Sequence, residues 1–380
     1  MSNYYKRAVF DDLNTKLVPN KVLILLGARR VGKTQLIKKY IQANPTLRIL
    51  QLNGEDTNDA QLLQERTVDN YKRLLKDIDL LVVDEAQNIN EIGLILKLIV
   101  DNVDGIKAIA TGSSMFDLSN KLGEPLVGRK NTMYLFPLAQ MEFSEFENYK
   151  NTNDNLEMRL IYGGYPELEQ YESWYDKKEY LQEIVNSYLL KDILVFDGIK
   201  NSDKIYNLLR LIAFQIGKEV SVQELGNQLQ LSKNTVANYL DLLSKVFIIF
   251  KVEGFSRNLR KEITKTSRWY FTDNGIRNAI INNFNTLNNR TDVGDLWENY
   301  LASERIKKQN YHKIKTNNYF WRTYDQQELD WLEEKADDLA GFEFKWNENK
   351  KSKTPTAFAK GYPEATFEVI SKQNYLDFIT

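Results

Sequence analysis

The apolar positions of this chain change period partway along it. Over the first third they come as short unbroken runs, at 22–26 (VLILL), 47–53 (LRILQLN), 79–85 (DLLVVDE) and 106–114 (IKAIATGSS), each closed by Gly, Asn, Asp or Ser. Runs of this length, without alternation, predict strands buried on both faces. Between them the spacing is helical: Leu36, Ile37 and Tyr40 after the first run, a polar stretch at 58–77, then Ile92, Ile95, Leu96 and Ile99. A further helix is expected in 1–20, stopped by Pro19-Asn20, and a further strand at 131–138 (NTMYLFPL). Strand alternating with helix predicts an α/β fold with a parallel sheet covered on both sides.

From Gln140 the period becomes 3.6 and stays there through MEFSEFENYK, MRLIYGGYPELEQY and YLQEIVNSYLLKDIL, which predicts a helical lid or linker over 140–202. Residues 203–281 read as three helices followed by two strands, the order of a winged helix. Ser232 or Asn234 is the expected cap of its third helix. The asparagine-rich 282–291 reads as a linker. Beyond it come an amphipathic helix at 295–308 and two strands. On the second strand Phe342, Phe344 and Trp346 share one face, and Glu343 and Lys345 the other. The expected domains are therefore 1–139, 140–202, 203–281 and 292–380, with the linker between the last two.

Chemistry gathers where the runs end. The run at 22–26 leads into Gly27-Ala28-Arg29-Arg30-Val31-Gly32-Lys33-Thr34-Gln35, a P-loop between a strand and a helix. Its glycines let backbone N–H groups wrap phosphates at the positive end of the following helix. Lys33 is expected on the β- and γ-phosphates of ATP, and the Thr34 hydroxyl on Mg²⁺. The third run ends in Asp84-Glu85, a Walker B pair in which Asp84 serves the metal and Glu85 polarises the attacking water. Thr111 or Ser113, at the tip of the next strand, is the candidate sensor of the γ-phosphate. Arg129 is the candidate cation for transition-state charge. A catalytic glutamate of this kind argues against a small-molecule kinase, as does the lack of an arginine-rich phosphate lid.

Composition narrows the rest. At 380 residues, with 42% hydrophobic and 27% charged positions, the chain has ample material for two or three cores. It has no Cys and a single His, His312, so a thiolate metal site, a multi-histidine site and a His-based triad within one chain are excluded. No run approaches membrane-spanning length, and a cytoplasmic setting is expected. The net charge of −1 is unevenly divided: residues 201–272 carry 11 Lys/Arg against 6 Asp/Glu. Lys233 on the third helix and Arg257, Arg260, Lys261, Lys265 and Arg268 on the wing make this a candidate DNA surface, with a protein or interdomain contact as the alternative. In the last domain Glu298, Asp330, Glu343 and Lys345 follow the order of a PD-(D/E)XK nuclease. There carboxylates hold Mg²⁺ and the lysine orients water. Leu329 stands where that motif has Pro.

With these segments together, the chain resembles a bacterial and archaeal family of AAA-class P-loop ATPases whose C-terminal region, of unknown function, combines a winged helix with a nuclease-like end. The resemblance rests on GARRVGKT, VVDEAQ, ATGSS, LVGR, YGGYP, NSYLLKDI, RWYFTDNGIRNAI, GDLWENYLASE and QQELDWL…GFEFKW. It implies ATP binding by Gly27, Gly32, Lys33, Thr34 and Asp84, and hydrolysis with Glu85. The expected function is an ATPase whose nucleotide state drives the winged-helix and nuclease-like regions, acting on DNA. The alternative is an ATP-dependent switch or protein-interaction module with an inactive nuclease-like domain. The expected ligands are ATP, ADP and Mg²⁺. DNA, a protein partner or a second copy of the chain are the candidate partners, and no membrane is.

Overall fold

All five residues of β1, Val22–Leu26, are buried, which requires strands on both sides and cover on both faces. The computed structural model describes residues 5–113, 126–189, 202–256, 267–323, 325–347 and 353–380. With β2 (Ile49–Asn53), β3 (Leu80–Asp84), β4 (Lys107–Gly112) and β5 (Lys130–Tyr134), β1 forms a five-stranded sheet of order β2-β3-β4-β1-β5. Every pairing in it is parallel. Insertion of β4 between β1 and β3 brings three strand tips side by side: Leu26 is level with Gly112, and Val83 with Ala110. The helices are α1 (Asp12–Lys16), α2 (Lys33–Ala43), α3 (Thr57–Gln64), α4 (Val68–Leu74) and α5 (Ile92–Asn102). On α5, Ile92, Ile95, Leu96 and Ile99 are buried, as their spacing predicts. The helix in the first twenty residues is a single short turn, because Leu13 is its only buried side chain.

The chain divides into two compact units. One holds 5–136 with 245–247, and the other the rest of 137–380. The second unit begins with α6 (Gln140–Phe143), α7 (Tyr149–Tyr162) and α8 (Trp174–Glu183). It continues with α9 (Ser202–Phe214), β6 (Glu219–Val220), α10 (Val222–Leu229), α11 (Lys233–Lys245), β7 (Ile249–Gly254) and β8 (Ser267–Phe271). Ser221 and Ser232 cap α10 and α11 through the amides of Glu224 and Thr235. Then follow α12 (Asn274–Ile280), α13 (Val293–Tyr311), β9 (Asn317–Arg322), β10 (Glu328–Lys335), β11 (Asp338–Phe344), α14 (Thr356–Gly361), β12 (Thr366–Ile370) and α15 (Tyr375–Ile379).

The seven strands of this unit form one sheet, β12-β11-β10-β9-β7-β8-β6. The join is parallel: Glu253 and Gly254 of β7 pair with Tyr319 and Phe320 of β9. Hydrogen bonding thus runs across the segment expected to separate two domains. The 282–291 segment is itself pinned, since the buried Arg290 donates to the Asn283 carbonyl (2.7 Å), to Asn278 and to Asp292. The other polar residues of this region are also spent on packing. Asn299 of α13 accepts from the Phe271 amide (2.7 Å) and donates to Asn274, and Glu304 accepts from the Gln140 amide (2.6 Å) and from Lys307.

Candidate functional site

The loop after β1 is shaped by two glycines. Gly32 has φ +95°, where an L side chain is strained, and a Cβ on Gly27 would lie 2.1 Å from the Leu135 carbonyl oxygen. Lys33, the first residue of α2, is buried and donates to the carbonyls of Gly27 (2.9 Å) and Ala28 (3.0 Å). Arg7 supports the loop from outside the motif: it is buried and donates to the carbonyls of Val31 and Phe136, both at 2.6 Å. Sequence spacing gave no sign of Arg7, because its partners are backbone atoms far along the chain. Thr34 and Gln35 are exposed, as is Arg30.

Thr34 Oγ1 donates to Asp84 Oδ2 at 2.9 Å, which places the two expected Mg²⁺ ligands together. Beside them lies an open cleft of about 170 Å³ lined by Thr34, Ile37, Asn53, Asp59 and Asp84. Hydroxyl and carboxylate oxygens are the donor set Mg²⁺ accepts, so the residues suit that ion. Glu85 takes up a left-handed backbone (φ 47°), uncommon for a residue with a side chain, directly after the strand. Gln87 donates to its carboxylate (2.5 Å). Gln87 lies in the VVDEAQ run but had no role assigned from sequence.

Thr111 is fully buried. It donates to Asp84 Oδ1 and accepts from the Glu85 amide (3.1 Å), so its hydroxyl holds the Walker B pair instead of facing outward as a phosphate sensor. Ser113 is also buried. Arg129 corrects the expectation more sharply. It immediately precedes β5, whose first residue Lys130 is level with Val22, and its carbonyl accepts from the Val22 amide. That is the opposite end of β1 from the P-loop. Its guanidinium is ion-paired with Asp101. Within this chain Arg129 does not reach the phosphate site.

In the C-terminal unit the acidic residues do converge, but around a guanidinium. Arg268, expected on a DNA-facing wing, lies on β8 with its side chain only 5% exposed. Its nitrogens stand 3.6 Å from Glu298, 3.6 Å from Asp330 and 2.9 Å from Glu328. Arg268 is therefore removed from the set of candidate DNA contacts. Glu343 and Lys345 pair with each other, while Asp330 accepts from the Phe344 amide (2.8 Å) and Glu298 from the Tyr270 hydroxyl (2.8 Å). Among the described residues no group of three or more His, Asp or Glu side chains is placed to hold a metal ion. The expected set Glu298, Asp330 and Glu343 with Lys345 lies close enough for its charges to act on one another, with Arg268 and Lys345 as cations among the carboxylates. Burial, and then the charge of Asp330, push the Glu298 carboxyl well above the carboxylate range. Burial also raises Asp330, against the pull of Arg268. The Arg268 charge holds despite burial, supported by Tyr270, Glu298, Asp330 and Glu328. Lys233 is exposed at the start of α11. Arg257, Arg260, Lys261 and Lys265 lie outside the described residues.

The strand order, the P-loop and the Asp84-Glu85 tip define a P-loop nucleotide-binding fold. An AAA-domain family model matches residues 19–144. Two domains of unknown function, DUF8612 and DUF4143, match 153–287 and 293–375. The chain is 25% identical over 336 residues to MJ1544, an uncharacterised protein of Methanocaldococcus jannaschii, covering 82% of this chain and 74% of that protein. An uncharacterised protein of Haemophilus influenzae is 25% identical over 350 residues, covering 84% and 80%. Among solved structures, AMPPCP-bound DnaA from Aquifex aeolicus is similar at 17% identity and a TM-score of 0.30, over 62% of this chain and 84% of that one. A Thermotoga maritima RuvB mutant reaches 0.31 at 14% identity, over 64% and 87%. Scores of that size leave the fold to be judged from the strand order itself. Among the described residues no helix is long and apolar enough to cross a membrane.

Proposed function

We propose that this protein binds ATP at the tips of β1, β3 and β4, hydrolyses it, and uses the nucleotide state to drive its C-terminal unit. The observation that carries the reading is the bond between Thr34 and Asp84 beside Glu85. It joins the P-loop to the Walker B strand at one point. Lys33 donates to two loop carbonyls, bonds it can exchange for charged phosphate oxygens. Thr34 and Asp84 would hold Mg²⁺, which supplies positive charge to the phosphates when bound. Glu85 takes the role of polarising the attacking water, with Gln87 and Thr111 setting its position from the side chain and the amide. Phosphate release from ATP by the full chain tests this: turnover should require Lys33 and Glu85.

The helix–strand–helix–helix–strand–strand order of 202–271 supports a winged-helix reading, and the helix, three strands, helix and strand from 293 to 370 support a nuclease-like scaffold. DNA is the partner class proposed for the first of these. Lys233→Glu should weaken DNA binding at all sequences and reduce its salt slope by about one, with the basal ATPase rate unchanged. Unaltered DNA binding in that variant would assign this helix to a protein contact.

A further inference from the structure

Arg268 reaches its carboxylates by crossing the face of the Phe320 ring, 4.7 Å from the ring centre. One of its nitrogens then faces both Glu298 and Asp330, and the other Glu328. Arginine has donors only and keeps its proton in proteins, so this positive charge is permanent. A divalent ion needs carboxylate oxygens at roughly 2.0–2.6 Å on several sides. The guanidinium already stands within 3.6 Å of two of those carboxylates. A second cation there would meet it at short range in a poorly solvated place, where repulsion is strong.

The carboxylates are also fixed against rearrangement. Glu298 is held by the Tyr270 hydroxyl and packed against Gly217, where a Cβ would lie 2.4 Å from its carboxylate oxygen. Asp330 is held by the Phe344 amide.

We propose that Arg268 is the resident cation of the Glu298–Asp330–Glu328 cluster, standing where a nuclease would hold its metal. The C-terminal unit then has a nuclease-like frame with a built-in positive charge, and it cuts no nucleic acid. The guanidinium ties β8 to α13 and β10, so this frame is complete without a metal.

The test uses the full chain without nucleotide, titrated with Mn²⁺ and followed by thermal unfolding and by Mn²⁺ electron paramagnetic resonance. Wild type and Asp330→Asn should respond identically to Mn²⁺, any response belonging to the P-loop side. Arg268→Met should melt lower and gain a Mn²⁺-dependent rise in Tm of roughly 5 °C at saturation, which Asp330→Asn added to it removes. A wild-type Mn²⁺ response that Asp330→Asn abolishes would overturn the proposal. So would an Arg268→Met chain, folded or only partly folded, whose melting and spectrum ignore Mn²⁺.

Discussion

The two units each bury a basic side chain, Lys33 in one and Arg268 in the other, and the partners of the two differ. Lys33 donates to two backbone carbonyls of its own loop. Arg268 faces three carboxylates and an aromatic ring, so its charge is cancelled within the fold. A cation held on glycine-loop carbonyls can turn to an anion from outside. A compensated one belongs to the structure. Both are buried basic side chains, and what separates them is the acceptors they meet, loop carbonyls for Lys33 and carboxylates for Arg268.

The comparison breaks most readily at the P-loop. Lys33→Ala should remove measurable ATP affinity yet lower folding stability by only about 1 kcal/mol, the net value of hydrogen bonds to neutral acceptors. Glu85→Gln should keep ATP binding and lose roughly 10²–10⁴-fold in turnover, the usual share of a general base. Nucleotide binding by calorimetry and phosphate release separate the two. Full turnover in Glu85→Gln would take that role from Glu85.

A compensated cluster should behave in reverse, costing stability when one partner is removed. Asp292 sits between Arg277 (2.5 Å) and Arg290 (2.8 Å). Burial opposes its ionisation, but Arg290 and Arg277 outweigh that and hold the carboxyl below its ordinary value of 3.8. A depressed carboxylate contributes stability that is fully present above the ordinary value and lost as pH falls through the lower, folded one. Asp292→Asn should therefore destabilise by roughly 3 kcal/mol at pH 7, as for a buried pair that loses one partner. The gap from wild type should narrow below pH 3.8. Chemical unfolding at pH 7 and at pH 3 measures both parts.

Local pattern carried the nucleotide unit almost completely. Strands β1, β3 and β4 are contiguous apolar runs, and loop, helix and carboxylate pair lie within a few residues of their ends. What pattern could not give were partners distant in sequence. Arg268 counts as one more basic wing residue along the chain, yet β8 carries it inward, and alternation along SRWYF already puts Arg268 on the same face as the buried Tyr270. The parallel pairing of β7 with β9 was equally hidden, because it joins residues 66 positions apart, Glu253 with Tyr319 and Gly254 with Phe320. The motifs RWYFTDNGIRNAI and GDLWENYLASE carry the family resemblance without naming an activity. Most of their polar atoms bond within the fold: Asp273 accepts from the Gly164 amide (2.8 Å), and Asn278 donates to the Ile161 carbonyl (2.8 Å).

Thr111 tests how far a buried hydroxyl tunes the first unit without touching substrate. It bridges Asp84 and the amide of Glu85. Thr111→Val keeps the shape but leaves that amide without its acceptor and frees the Asp84 oxygen. Turnover should fall about tenfold, the cost of one lost hydrogen bond at about 1.4 kcal/mol, with ATP affinity changed less than turnover. Equal losses in affinity and turnover would mean that Thr111 acts on the bound phosphates after all.

Arg129 should give the smallest effect and the sharpest negative. An arginine that stabilises charge on a transferring phosphate is worth roughly 10³–10⁵-fold in turnover when removed. The Arg129 side chain is 43% exposed, paired with Asp101, and β5 begins at the end of the sheet away from the P-loop. An exposed pair of this kind contributes about 1 kcal/mol or less. Arg129→Ala in the isolated chain should therefore leave turnover within about twofold and stability within about 1 kcal/mol. The measurement is repeated at rising protein concentration. A loss of turnover confined to high concentration would mean that Arg129 serves the site of a second copy. A loss at every concentration would show that the guanidinium reaches its own phosphates, contrary to its place at the start of β5.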